Sequence, residues 1–264
     1  MRRGNSRGAR CRRAKRRALT AFACMVFLIG CTVLLWPKMV GAHLTRQAHT
    51  AVSEFYDVAR TVSQAHSDDV KIEYINVPAP TPTPRPYADL YKAMQDYNQR
   101  IYDSGQAGLC DAWAYQVASF DLQAYGIEDG AIGVISIPKM DVELPIYLGA
   151  SSENMAKGAV HLSQTSLPIG GSSTNCVIAA HRGWYGAPYF RYIDVLEEGD
   201  EVYITNLWET LTYKVAVIRV INPDDIDQIL IQPGRDLLTL LTCHPYASGG
   251  LYRYVVYCER EEGS

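Results

Sequence analysis

The sequence predicts an all-β fold, a barrel or sandwich of seven to eight short strands, preceded by an N-terminal helical part. Three observations support this. The chain has 264 residues of which 48% are hydrophobic, enough to bury a sizeable core. After Gly130 the sequence changes to short, closely spaced β-rich runs with little helical pattern between them. Before that point the apolar residues instead follow helical spacing.

The predicted strands are rich in aliphatic and β-branched side chains and are separated by turn residues. They cover residues 131–137, 142–147, 176–180, 201–205, 211–220, 236–243 and 252–258. We assign residues 130–260 to this β-barrel, which we expect to be the functional domain.

The N-terminus predicts a membrane anchor. Residues 1–17 hold nine of the 25 Lys and Arg residues and no acid, and residues 18–36 carry no charge. Nineteen helical residues at about 1.5 Å each suffice for a hydrocarbon core of about 30 Å. Because basic flanks stay inside, the N-terminus is expected in the cytoplasm and the rest of the chain outside. A cleaved signal peptide, with Val40 and Ala42 at the cleavage site, is the alternative.

Charge and composition exclude other classes of protein. The 247 residues after the basic tail hold 16 basic and 28 acidic side chains, so the tail indicates topology and lipid contact, with no nucleic-acid partner. Four cysteines follow the anchor, Cys110, Cys176, Cys243 and Cys258, but their spacing matches no disulfide framework or zinc site. The sequence has no glycine-rich phosphate-binding loop and no two histidines at the spacing of metal ligands, so we expect no cofactor and no metal.

Between anchor and barrel the sequence divides into three segments. Residues 37–76 form a helical stalk, with the helical pattern running from Leu44 to about His66. Residues 77–86 hold five prolines and predict a stiff linker. Residues 87–129 begin with a second helix and continue into a loop with Cys110, Asp111 and Trp113.

Three reactive side chains stand at predicted strand ends. Cys243 closes one strand, and Arg253 lies in the next, so an antiparallel pair would bring them into one groove. His181 ends another apolar strand. A buried structural thiol is the alternative for Cys243, and a hydrogen-bonded strand-end histidine for His181. His244 could compete as base, but neighbouring residues in a strand point to opposite faces.

Arg253 also has alternatives as the basic side chain beside Cys243. Arg182 or Arg260 could take the place of Arg253. Arg182 points away from His181 by the same alternation, and Arg260 lies beyond the predicted strand end.

These residues carry a resemblance to a known family. The run Thr239-Leu-Leu-Thr-Cys243, with Arg253 ten positions later and His181 62 positions earlier, resembles the TLxTC signature of sortases. The resemblance covers about residues 87–260 and includes GVISIP (133–138), LPIY (144–147), HLSQTSLPIGG (161–171) and AHRG (180–183). It is closest to class C, the pilus-assembling sortases, and implies a sortase-type β-barrel.

Class C sortases carry an N-terminal lid with an Asp-Pro-aromatic motif, and Asp111-Ala112-Trp113 occupies the matching place with alanine for proline. The resemblance implies that Asp111 pairs with Arg253 and that Trp113 covers Cys243. The alternative is a helix cap at Asp111 with Trp113 in the core. Cys110 beside this segment suggests a redox-sensitive lid. Class C enzymes often end in a second membrane helix, whereas this sequence stops at Ser264 after an acidic stretch.

The resemblance also implies a reaction. The thiolate of Cys243 would attack the Thr-Gly carbonyl of an LPxTG-type sorting signal, His181 would protonate the leaving amine, and Arg253 would stabilise the oxyanion. Thr242 would line the substrate groove. An amine, a pilin lysine or cell-wall peptide, would then resolve the thioester. A cell-wall-anchoring or hydrolytic sortase is one alternative, and an inert membrane-anchored barrel that binds surface proteins is another.

Overall fold

The computed structural model of the chain describes residues 6–68, 86–127 and 130–261. The start of the basic tail (residues 1–5) and all but the last residue of the proline-rich linker predicted over 77–86 lie outside the described residues.

Helix α1 joins the predicted membrane span and the predicted stalk. It runs without interruption from Ser6 to Asp68 and contains Pro37. Of the described helices it alone is long and apolar enough to cross a membrane. One continuous helix thus carries the predicted span (18–36) and the predicted stalk as far as Asp68, and residues 69–76 of the predicted stalk lie outside the described residues. The second half of α1 packs on the barrel through the buried apolar residues Ala48, Val52, Phe55, Ala59 and Val62.

A closed barrel of eight strands forms the main part of the molecule, in the order β1-β2-β3-β4-β7-β8-β6-β5. The strands are β1 (Gly133–Ile137), β2 (Val142–Leu148), β3 (Ala159–His161), β4 (Thr174–Ala179), β5 (Glu201–Thr205), β6 (Thr210–Ile221), β7 (Asp236–His244) and β8 (Tyr252–Arg260). Seven of them overlap the predicted strands. The eighth, β3, was missed because three residues are too few to show a period.

Two helices flank the barrel. Helix α2 (Ala88–Asp103) buries Leu90, Met94, Tyr97 and Ile101, and α3 (Ser152–Lys157) is a short helix after β2. The Asn98 side chain fixes α2 to the barrel wall, because it accepts from the Leu167 amide at 2.7 Å. The chain after α2 continues into the segment that carries Cys110, Asp111 and Trp113.

The arrangement of three neighbouring strands decides where the reactive side chains meet. Strand β7 pairs in parallel with β4 and antiparallel with β8. The C-terminal ends of β4 and β7 and the start of β8 therefore lie at the same rim of the barrel.

Candidate active site

Cys243 and Arg253 face each other across the β7 and β8 strands. They are direct partners in the antiparallel register, so both side chains project from the same face of the sheet. The guanidinium Nη1 lies 3.9 Å from the Cys243 sulfur. Arg253 is almost completely buried, and Nη1 also donates to the carbonyl oxygen of Gly250 at 2.8 Å. A cation is thus held rigidly beside the thiol.

His181 enters the same rim directly after β4. Its imidazole is stacked face to face on the indole of Trp184, with 4.2 Å between ring centroids and 7° between planes. Its backbone carbonyl accepts from the Phe190 amide at 3.1 Å, which fixes the start of the following loop. Burial lowers the pKa of His181 to about 4, since a charged imidazolium loses its hydration there.

The segment with Asp111 and Trp113 covers this rim. The Asp111 carboxylate accepts two hydrogen bonds from Arg253, at 2.6 Å from Nε and 2.7 Å from Nη2. The Trp113 ring lies against the same guanidinium, with 4.6 Å from Cζ to the ring centroid. Its other neighbour is His181, at 6.2 Å between ring centroids. The indole therefore lies between the imidazole and the guanidinium.

Asp111 also caps the short helical turn that presents Trp113. Its carboxylate accepts from the Trp113 amide at 3.1 Å, and this turn covers Ala112–Ala114. Asp111 thus both caps a helical turn and pairs with Arg253, whereas Trp113, which the alternative placed in the core, is only partly buried. Ala112, at the position where the class C motif has proline, is completely buried.

The covered site holds the thiol in its neutral form. Burial raises the pKa of Cys243 from its ordinary value of 9.0 to about 11. The charge of Arg253 opposes this shift, and the charge of Asp111 reinforces it. Burial also disfavours the charge on Arg253, but the hydrogen bonds that it donates to Asp111, together with the negative charge of that carboxylate, outweigh burial and the pKa of Arg253 rises. Around neutral pH, Cys243 is a thiol and His181 a neutral imidazole in this state.

Thr242 is not in the groove, which corrects the expectation that it contacts substrate. Its side chain is fully buried and donates to the carbonyl of Ala180 at 2.7 Å. The physical reason is strand alternation, because Thr242 points to the face opposite Cys243. It ties the end of β7 to the residue before His181.

The other competing side chains also lie away from the thiol. Arg182 contacts the His244 Nδ1 at 2.6 Å and Asp194 at 3.2 Å, and it lies over the ring of Tyr254. His244 and Arg182 therefore form a separate cluster on the opposite face. Arg260 is the last residue of β8, which extends two residues further than predicted. Seven residues at about 3.3 Å each separate it from Arg253.

Two residues at the site were not singled out from the sequence. Trp184 stacks on His181 as described, and no sequence pattern marks this contact. Gly250 lies directly over the thiol: a Cβ atom there would be 3.2 Å from the Cys243 sulfur and 3.1 Å from Arg253 Nη1. Its φ of +82° also favours glycine. The pair Gly249-Gly250 between the two strands was the available signal.

The other three cysteines of the barrel and its covering segment, Cys110, Cys176 and Cys258, are free thiols. Cys176 and Cys258 are buried, and burial raises the pKa of both. Cys110 is partly exposed, and burial and the neighbouring Asp111 raise its pKa. None of the three resembles an activated nucleophile.

Comparison with known proteins gives a consistent result. A family model described as the sortase domain matches residues 135–261. The chain is 30% identical over 132 residues to Sortase D of Bacillus subtilis (strain 168), which covers 49% of this chain and 64% of the relative. It is 30% identical over 136 residues to Sortase A of Streptococcus agalactiae serotype III (strain NEM316), a match that covers 50% of this chain and 53% of the relative. The matches span less than two thirds of these curated relatives.

Solved structures match over a larger part of the chain. Sortase C1 of GBS Pilus Island 1 has a TM-score of 0.65 at 29% identity, covering 81% of this chain and 98% of that chain. Sortase C-1 from Actinomyces oris has a TM-score of 0.60 at 36% identity, covering 66% and 98%. Streptococcus pneumoniae Sortase C has a TM-score of 0.63 at 28% identity, covering 80% and 95%.

Proposed function

Because this chain belongs to the sortase family and its structural neighbours are class C pilus sortases, we propose that it is a cysteine transpeptidase that joins a sorting signal to an amine. The single observation that supports this best is the register that sets Cys243 opposite Arg253, with His181 two residues beyond the end of the adjacent strand β4. The proposed donor is an LPxTG-type peptide, and the proposed acceptor is a pilin lysine.

The first half-reaction forms a thioester. Once the lid has moved away, the Cys243 thiol gives its proton to the neutral imidazole of His181, and its sulfur attacks the carbonyl carbon of the scissile Thr-Gly bond. Arg253 donates hydrogen bonds to the developing oxyanion, which in a partly dry groove stabilises it far more than water would. As the C–N bond breaks, His181 returns the same proton to the leaving glycine amine.

The second half-reaction reverses these roles. A lysine amine attacks the thioester carbonyl, and its excess proton passes to His181 while the C–S bond breaks. Arg253 again stabilises the tetrahedral oxyanion. The thiolate of Cys243 regains a proton from the imidazolium, so the enzyme ends in its starting state with a new amide bond formed.

The segment around Asp111 and Trp113 is proposed to act as a lid that competes with substrate. Arg253 cannot offer Nε and Nη2 to an oxyanion while both donate to Asp111. Trp113 takes up the space between His181 and Arg253. A sorting signal would therefore have to displace both side chains before the reaction can start.

The anchor and partners are proposed from the N-terminal part. With the basic residues of α1 in the cytoplasm, the barrel would stand outside the membrane, where sorting-signal proteins and the acceptor amine are found. The alternative is attachment to cell-wall peptide or hydrolysis, because the curated relatives are named Sortase D and Sortase A and neither name mentions a pilus. The nature of the acceptor separates these reactions.

The test is the covalent intermediate. The detergent-solubilised chain is incubated with an LPxTG-type peptide and analysed by intact mass spectrometry, with Cys243→Ala as control. A thioester adduct that is absent in the control and is resolved by a lysine-containing pilin peptide supports pilus polymerisation. Resolution only by a cell-wall peptide or by water supports the alternative. If no adduct forms across a panel of sorting peptides, even in Trp113→Ala, the inert membrane-anchored barrel is the better interpretation.

A further inference from the structure

The loop that follows His181 contacts the membrane-anchor helix directly. We call residues 183–187 the interface loop. A Cβ atom on Gly41 of α1 would lie 2.6 Å from the backbone carbonyl carbon of Gly186, and one on Gly186 would lie 2.7 Å from the carbonyl oxygen of Pro37. Since no side chain fits between the two backbones, the position of the loop along α1 is fixed.

That position coincides with the expected membrane surface. The uncharged run of α1 ends at Trp36. At about 1.5 Å per residue, Pro37 and Gly41 lie roughly 2 to 8 Å beyond it along the helix axis. Each headgroup layer is about 5 to 8 Å thick, as the difference between a core of about 30 Å and a bilayer of about 40–45 Å implies. The interface loop is therefore level with the headgroups.

The side chains around the loop are of the type found at membrane interfaces. Tyr185 and Trp36 are 57% and 60% exposed. Beside the loop, the guanidinium of Arg191 lies 4.4 Å from the ring centroid of Tyr246 and 5.7 Å from that of Tyr192, and both tyrosines are about half exposed. Exposed Trp and Tyr next to a basic residue match the aromatic belt of membrane proteins.

From this arrangement we propose that the interface loop rests in the headgroup layer of the lipid bilayer, with Tyr185 as its lipid contact. The proposal depends on α1 spanning the membrane but not on the reaction. Trp184 belongs to the same loop and stacks on His181. The active-site rim therefore lies at the membrane surface, and substrates must be presented there.

Photo-crosslinking of the full chain in vesicles of phosphatidylglycerol and phosphatidylcholine tests this placement. A benzoylphenylalanine replaces Tyr185 in one variant and Val58 in a second. Val58 is 49% exposed on helix α1 and lies 22 residues after Trp36, which places it about 33 Å further from the expected membrane surface. After irradiation, lipid adducts are measured by mass spectrometry. We expect at least tenfold more adduct at residue 185 than at residue 58, and equal yields would overturn the proposal.

A pair of glycine variants tests whether the helix places the loop. Gly41→Val forces the backbones apart, whereas Gly30→Val adds the same side chain to a position with nothing within 4 Å. The lipid adduct at residue 185 should fall several-fold in the first variant and stay unchanged in the second. An equal adduct in both would refute the placement by α1. A benzoylphenylalanine at Trp36 that captures no lipid would show that the membrane span itself is wrong, and neither readout depends on transpeptidase activity.

Discussion

Removing the Trp113 ring should make the Cys243 thiol more reactive. In the covered site, burial is the main reason that the pKa of Cys243 rises from 9.0 to about 11. Trp113→Ala admits water to the rim, and we expect the pKa to return towards 9.0. Well below both values, a fall of two units raises the thiolate fraction about a hundredfold. Because the nucleophilicity of a thiolate falls with its pKa (Brønsted coefficient about 0.4–0.5), the net gain in rate is about tenfold.

The assay is the alkylation rate of Cys243 with iodoacetamide between pH 6 and pH 10. The solubilised chain is sampled over time, and the alkylated peptides are identified by mass spectrometry. This distinguishes modification of Cys243 from modification of Cys110, which lies on the same segment as Trp113. Val117→Ala is the matched control, because Val117 lies in this segment but is 85% exposed. It should leave both the rate and its pH dependence unchanged.

The direction of the pH dependence is part of the prediction. A lowered pKa moves the rise in alkylation rate to lower pH, so the gain of Trp113→Ala should shrink above about pH 9, where the thiolate of the variant is already formed. If wild type and Trp113→Ala show the same alkylation rate at every pH in this range, Trp113 does not shield the thiol and the lid is refuted.

Three further substitutions test the geometry of the rim. Arg253→Lys loses the fork that can bind an oxyanion, and kcat/KM for peptide cleavage should fall by about 10²–10³, whereas a change of less than threefold would exclude the oxyanion role. Gly250→Ala should lower kcat/KM at least tenfold, because the added Cβ would contact the Cys243 thiol and the Arg253 guanidinium. The control Gly249→Ala should not lower it, because Gly249 has a similar φ of +72° but no atom within 4 Å of an added Cβ. Equal losses in the two variants would mean that only backbone strain matters. Thr242→Val removes a buried hydrogen bond and should lower the free energy of unfolding by about 1–2 kcal/mol in denaturant titration, and an unchanged midpoint would show that this bond does not stabilise the rim.

Much of the barrel could be predicted because the information is local. Strand alternation placed Cys243, Leu241 and Thr239 on one face and separated Cys243 from His244, as observed. The same rule places Thr242 on the opposite face, so expecting it in the groove conflicted with the pattern that located the nucleophile. Its burial follows from alternation alone.

The features that could not be predicted from local sequence depend on contacts between distant parts of the chain. His181 reaches the rim because β4 and β7 pair in parallel, although 62 residues separate it from Cys243, and no local pattern encodes such pairing. The ion pair between Asp111 and Arg253 joins residues 142 positions apart and was expected only from the family resemblance. The contact between Gly41 and Gly186 has no sequence signal beyond the two glycines themselves.

Because β7 lies between β4 and β8, the strand that carries Cys243 should open much more rarely than the turn that covers it. Over residues 237–241 this strand is paired along both edges, so the amides of this part of β7 should exchange with deuterium only when the whole barrel opens. In the turn Ala112–Ala114, the amides of Trp113 and Ala114 donate to Asp111 of the same segment and not to a strand of the barrel, so they should exchange far earlier. The proposed lid would thus open many times while the spacing of Cys243 and Arg253 stays constant, since the barrel framework sets that spacing.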